Sequence, residues 1–166
     1  LEPFDYPNND PGPKTLLVDE TWETNEDRLH WILSRMTNYV GLVNYMGARF
    51  SASPDSMRLL FNTLRDRGLL YVDNGSTPLS RANEIADETK IPYAQSSLVL
   101  DSLLSANDID ARLLELESLA REKGSAIGIA SAFPVTIERL KRWAVNAERR
   151  GIKLIPISAT PDKTKL

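Results

Sequence analysis

Cysteine is absent from these 166 residues, and histidine occurs once, as His30. The first absence removes thiol nucleophiles, thiolate metal sites and disulfides, and it leaves the cellular compartment open. The second excludes an ordinary zinc site built from two or three imidazoles. No apolar run approaches the roughly 20 residues that span a bilayer. Nor does one sign of charge dominate: 20 Lys and Arg stand against 23 Asp and Glu, a net charge of −3. A nucleic-acid binder normally carries a basic face, so nucleic acid is not an expected partner. No Walker, G-x-S-x-G, dinucleotide-fold or zincin pattern occurs either. What is present is a globular composition, 42% hydrophobic and 26% charged. The length fits one domain, and no low-complexity segment, repeat or linker divides it.

Four prolines (Pro3, Pro7, Pro11, Pro13) fall in residues 1–15 beside Asn8, Asn9, Asp10 and Gly12. They exclude regular helix or strand, and Phe4 and Tyr6 point to a loop packed on a core. Helical and extended patterns then alternate. Thr24 or Asn25 is positioned to cap a helix over 25–36 carrying Leu29, Ile32, Leu33 and Met36. Residues 39–43 read as a strand. Ser53 followed by Pro54 opens a helix over 54–67 whose face is Met57, Leu60, Phe61 and Leu64. Residues 69–72 form a strand, 80–89 a helix and 91–94 another strand. Residues 98–101 fit strand or irregular chain. Asn107 precedes a helix over 107–122, residues 126–130 form a strand, Pro134 opens a helix over 134–149, and 152–157 read as a last strand. Strands alternating with helices predict an α/β fold with a mainly parallel sheet or barrel.

Parallel α/β folds place their sites where strands end and loops begin. That rule selects Asn44-Tyr45-Met46-Gly47, Asp73-Asn74-Gly75-Ser76-Thr77, Asp101-Ser102 and Ser131-Ala132-Phe133-Pro134, with Ser158 a weaker fifth. Each has a structural reading as well. Asp73 with Gly75 makes a natural Asx turn, and Ser131 is placed to cap the helix opened by Pro134. Tyr45 also fits a packed aromatic, and His30 a helix-surface side chain.

Four segments together resemble a known family. They are Leu1-Glu2-Pro3-Phe4-Asp5-Tyr6-Pro7 with Asp10-Pro11-Gly12-Pro13, then Asn44-Tyr45-Met46-Gly47-Ala48-Arg49-Phe50, Gly68-Leu69-Leu70-Tyr71-Val72-Asp73, and Gly128-Ile129-Ala130-Ser131-Ala132-Phe133-Pro134-Val135-Thr136-Ile137. In this order they look like the divergent polysaccharide deacetylases, a branch of the NodB-homology carbohydrate esterases. The resemblance implies an incomplete, distorted β/α barrel acting on N-acetylated glycans in the bacterial periplasm or cell envelope. It implies a metal-assisted hydrolysis, with zinc in complete members, an Asp base and an Asp–His–His triad. The Asp-Asp strand end of the family belongs upstream of Leu1, so the chain is expected to be a piece of a longer protein. Any membrane attachment would lie in that upstream segment. Here Tyr45 stands where many members have histidine, and Ser131 where others have one.

The resulting expectations are specific. Catalytic candidates are Asp73, Tyr45 and Ser131; glycan-contact candidates are Glu2, Asn44, Tyr45, Asp73, Asp101 and Ser131. No metal ligand and no cofactor is assigned within this chain. A non-catalytic glycan-binding or envelope-assembly module is the alternative, and a purely structural α/β scaffold a third. A large exposed apolar patch, or a gap, is expected beside the 1–15 loop, where the missing strands would leave a sheet edge uncovered.

Overall fold

The computed structural model describes residues 1–160, which form two compact units, 1–95 and 96–160. The first unit is built on a parallel three-stranded sheet, ordered β1 (Gly41–Val43), β2 (Leu70–Asp73), β3 (Tyr93–Gln95). Leu42 lies opposite Tyr71, and Tyr71 opposite Tyr93. A Cβ on Gly41 would collide with the carbonyl oxygen and side chain of Leu70, so only glycine lets these strands pair so closely. Three longer helices cover this sheet: α1 (Trp22–Leu33), α3 (Pro54–Asp66) and α4 (Ala82–Thr89), with one short helix, α2 (Ala48–Ser51), between the first two. The buried face of α3 is the expected one, Met57, Leu60, Phe61 and Leu64, and it packs with Leu29, Phe50, Tyr71 and Ile85.

The second unit holds a two-stranded parallel sheet, β4 (Leu98–Val99) and β5 (Gly128–Ile129), with α5 (Ala106–Lys123) and α6 (Pro134–Ala147). Leu100, Ile109, Leu113 and Leu116 make its core, and Leu140 and Trp143 of α6 pack on them. The mixed α/β architecture with parallel pairing agrees with the alternation of sequence patterns, and the 98–101 segment resolves into a short strand.

Several expected boundaries move. Thr21, not Thr24 or Asn25, caps α1: its hydroxyl accepts the Thr24 N–H at 3.3 Å. Asn25 lies buried inside the helix, where its side chain accepts the Leu17 N–H (2.9 Å) and donates to the Leu17 carbonyl (2.8 Å). Asparagine suits a cap by residue type, but here its amide copies a backbone pair with Leu17 instead. Met36 falls beyond the helix and is exposed. Ser105 replaces Asn107 as the cap of α5, its hydroxyl accepting the Asp108 N–H. Residues 152–156 form no strand; Ile157–Ala159 is a 3-10 turn that contains Ser158, so Ser158 does not follow a strand. An apolar run is not enough for a strand without a partner for its backbone groups, and Leu154 and Ile155 are exposed.

Candidate functional site

In the first unit the ends of β1 and β2 are locked together by two asparagines. Asn44 accepts the Asn74 N–H (2.8 Å) and donates to the Asn74 side-chain oxygen (2.9 Å), and Asn74 donates to the Asn44 carbonyl (3.0 Å). Asn44 also donates to the Met46 carbonyl at 2.7 Å. The loop it holds contains Met46 at φ 53° and Gly47 at φ 99°, two left-handed residues in a row that turn the chain into α2. Tyr45, between Asn44 and that turn, is thrown outward and 68% exposed. A packed core aromatic is therefore the wrong description of it.

Asp73 ends β2 and is 1% exposed. Both its oxygens are engaged: Oδ1 accepts the Gly75 N–H (2.9 Å), and Oδ2 accepts the Ser80 hydroxyl (2.7 Å) and, at 3.5 Å, the Tyr93 phenol. Burial, and then the charge of Asp73, push the Tyr93 phenol well above its ordinary range. The Tyr71 phenol is raised by the same two causes, and its buried hydroxyl has no partner among the described residues. Ser80 in turn accepts the Ala82 N–H at 3.2 Å, so Asp73 fastens β2 to the start of α4. Glu2 is likewise buried and spent: Oε2 accepts the Val18 N–H (2.6 Å) and Oε1 pairs with Arg49. Arg49 also donates to Asp19 at 2.6 Å, and its hydrogen bonds to Asp19 first and then to Glu2 raise the guanidinium pKa.

An apolar cavity of about 350 Å³ opens beside the 1–15 loop; Pro11, Lys14, Trp31, Leu42, Asn44 and Tyr45 are among the residues that line it. Phe4 is exposed but, like Asp73, is not part of that lining.

In the second unit Asp101 follows β4, and its Oδ2 accepts the Ser131 N–H (2.7 Å) and the Thr136 hydroxyl (3.1 Å). The structure thus brings Asn44, Tyr45, Asp73 and Glu2 to the strand-end loops of the first unit, and joins Asp101 to Ser131 in the second. Sequence reasoning missed Ser80, Tyr93 and Thr136. Ser80, just before a helix, and Thr136, in the first turn after Pro134, carry a recognisable signal; Tyr93 carries none.

Zinc requires imidazole, thiolate or carboxylate donors converging on one point. His30 is exposed on α1, both oxygens of Asp73 are occupied, and no group of three His, Cys, Asp or Glu side chains among the described residues could hold a cation. The donor set of these residues does not fit zinc.

A sequence model of the divergent polysaccharide deacetylase family matches residues 1–160. The fold is similar to the crystal structure of an uncharacterized protein from Agrobacterium tumefaciens C58, with TM-score 0.93 and 39% identity over 95% of this chain and 64% of that one. An uncharacterized protein of Haemophilus influenzae Rd is 28% identical over 115 residues, 69% of this chain and 41% of that protein. The chain therefore spans less than two thirds of either relative.

Proposed function

The chain belongs to the divergent polysaccharide deacetylase family, and we propose that it serves a glycan-directed protein of the bacterial cell envelope, contributing contacts to an N-acetylated polysaccharide. The family match along all the described residues carries this reading. The geometry supplies a fitting surface: an outward aromatic, Tyr45, on a loop fixed by the Asn44–Asn74 bonds. Sugars are held by ring faces packing on their C–H surfaces and by polar groups fixed in advance. In this reading the parallel βα units belong to an incomplete β/α barrel, and the protein works in the periplasm or envelope.

Two versions of the reading differ in chemistry. In the first, the longer protein removes acetyl groups with a metal held by residues outside this chain. In the second, the domain binds glycan without hydrolysing it. The occupied carboxylates of Asp73 and Glu2 favour binding as the task of this chain's own residues, because neither is free to take a proton from water without giving up a structural bond. Titrating the chain calorimetrically with tetra-N-acetylchitotetraose tests the proposal. Saturable binding that Tyr45→Ala weakens is expected. Absence of heat at millimolar ligand, or wild-type affinity in Tyr45→Ala, would contradict it.

A further inference from the structure

Of two buried aspartates, Asp73 ends β2 and Asp101 comes just after β4, and their oxygens are used differently. Asp73 engages both. Asp101, 8% exposed, engages only Oδ2, which takes both the Ser131 N–H and the Thr136 hydroxyl. Its Oδ1 has no partner among the described residues. That oxygen is not sealed in either, since the only fully buried side-chain polar atom lacking a partner among the described residues is the Tyr71 hydroxyl. A carboxylate clamped by one oxygen, with the other open, is a fixed hydrogen-bond acceptor.

Between its two donors runs Phe133, 43% exposed. It occupies the N-cap of α6, makes no side-chain capping bond there, and is not part of the second unit's core. Ser, Thr, Asp and Asn satisfy that position far better than a large apolar side chain. Neither helix capping nor core packing accounts for the ring. It lies two residues from Ser131, so no more than about 7 Å of backbone separates it from the clamp.

We propose that Asp101 and Phe133 form a sugar-contact subsite of the second unit, Asp101 Oδ1 accepting a pyranose hydroxyl while the Phe133 ring packs on the sugar's C–H face. The subsite rests on the glycan reading above and gives it a second, separate contact point. No other group of Asp101 is needed, because the clamp already fixes the carboxylate's orientation.

The test uses Asp101→Asn and Phe133→Ala. Asparagine keeps a carbonyl oxygen for Ser131 and Thr136 and puts an NH₂ where Oδ1 was, reversing the hydrogen bond offered to a ligand. Phe133→Ala removes an exposed ring outside the core. Dissociation constants for tetra-N-acetylchitotetraose and melting temperatures are measured for the wild type and both variants. Asp101→Asn is expected to bind at least about tenfold more weakly, the low end for one hydrogen bond to a charged group, and Phe133→Ala about fivefold more weakly through the lost ring contact, with the Phe133→Ala melting temperature unchanged. Should Asp101→Asn fail to fold, Phe133→Ala decides. Wild-type affinity in a folded variant would overturn the subsite and leave the glycan reading standing. No binding by the wild-type chain would remove both.

Discussion

At the scale of single residues, the strand-end rule selects side chains by position without revealing which partners hold them there. Asn44, Asp73 and Asp101 all sit at strand ends, but Asp73 is held by Ser80 and Tyr93, 7 and 20 residues further along, separations that no local pattern encodes. Asn44→Ala would remove three side-chain hydrogen bonds, one accepted from the Asn74 N–H and two donated to the Asn74 side-chain oxygen and the Met46 carbonyl. We expect it to destabilise the first unit by about 3 kcal/mol, at a net value near 1 kcal/mol per hydrogen bond, as a drop in urea midpoint. Tyr71 gives the opposite expectation. Its buried hydroxyl has no hydrogen-bond partner among the described residues, so Tyr71→Phe should match or exceed wild-type stability in the same measurement. A loss of more than about 1 kcal/mol would mean the hydroxyl is engaged after all.

Among elements, those with both a cap and a clean apolar face were legible. Ser53, Pro54 and the Met57–Leu60–Phe61–Leu64 face specify α3 by themselves, and the structure has Pro54–Asp66. Elements defined by tertiary partners were not. Short helix α2 depends on the left-handed turn at Met46 and Gly47, and the apolar 152–157 run has no pairing strand among the described residues. Helix α5 carries a pH-sensitive contact. Glu117, buried on it, accepts from Arg150 and from the Trp143 indole (2.6 Å). Chiefly the Arg150 hydrogen bonds, then Trp143 and the Arg150 and Arg121 charges, hold its carboxyl below its ordinary 4.5. A depressed carboxylate pKa contributes stability above the unfolded-state value that is lost as pH falls through the folded-state value. The α5–α6 packing should therefore weaken as pH drops below 4.5, and Glu117→Gln should flatten that part of the profile. Circular dichroism melts between neutral and acid pH would show it; an unchanged slope in Glu117→Gln would contradict it.

For the whole molecule, fold class and family were both readable from sequence: the α/β alternation appears as two parallel sheets, and the family resemblance matches across 1–160. The division into units at residues 95 and 96 was not, because no change of composition marks it. Chemistry at this scale turns on donors. With no cysteine, one histidine, exposed on α1, and no group of three potential ligands among the described residues, the purified chain should neither bind zinc tightly by calorimetry nor release acetate from an N-acetylglucosamine oligomer. Tyr45→His alone should not change that, since Tyr45 is exposed and the described residues hold no group of three potential ligands for it to join. Tight stoichiometric zinc binding with acetate release would make hydrolysis a property of these residues.

Glycan recognition by the strand-end loops is the claim on which the rest depends, and a ¹⁵N-edited NMR titration with tetra-N-acetylchitotetraose tests it most directly. Saturable amide shifts at Tyr45 and Met46 in the first unit, and at Ser131 and Ala132 in the second, are the predicted result. Shifts confined to residues away from the ends of β1, β2, β4 and β5, or no saturable shift at all, would contradict it.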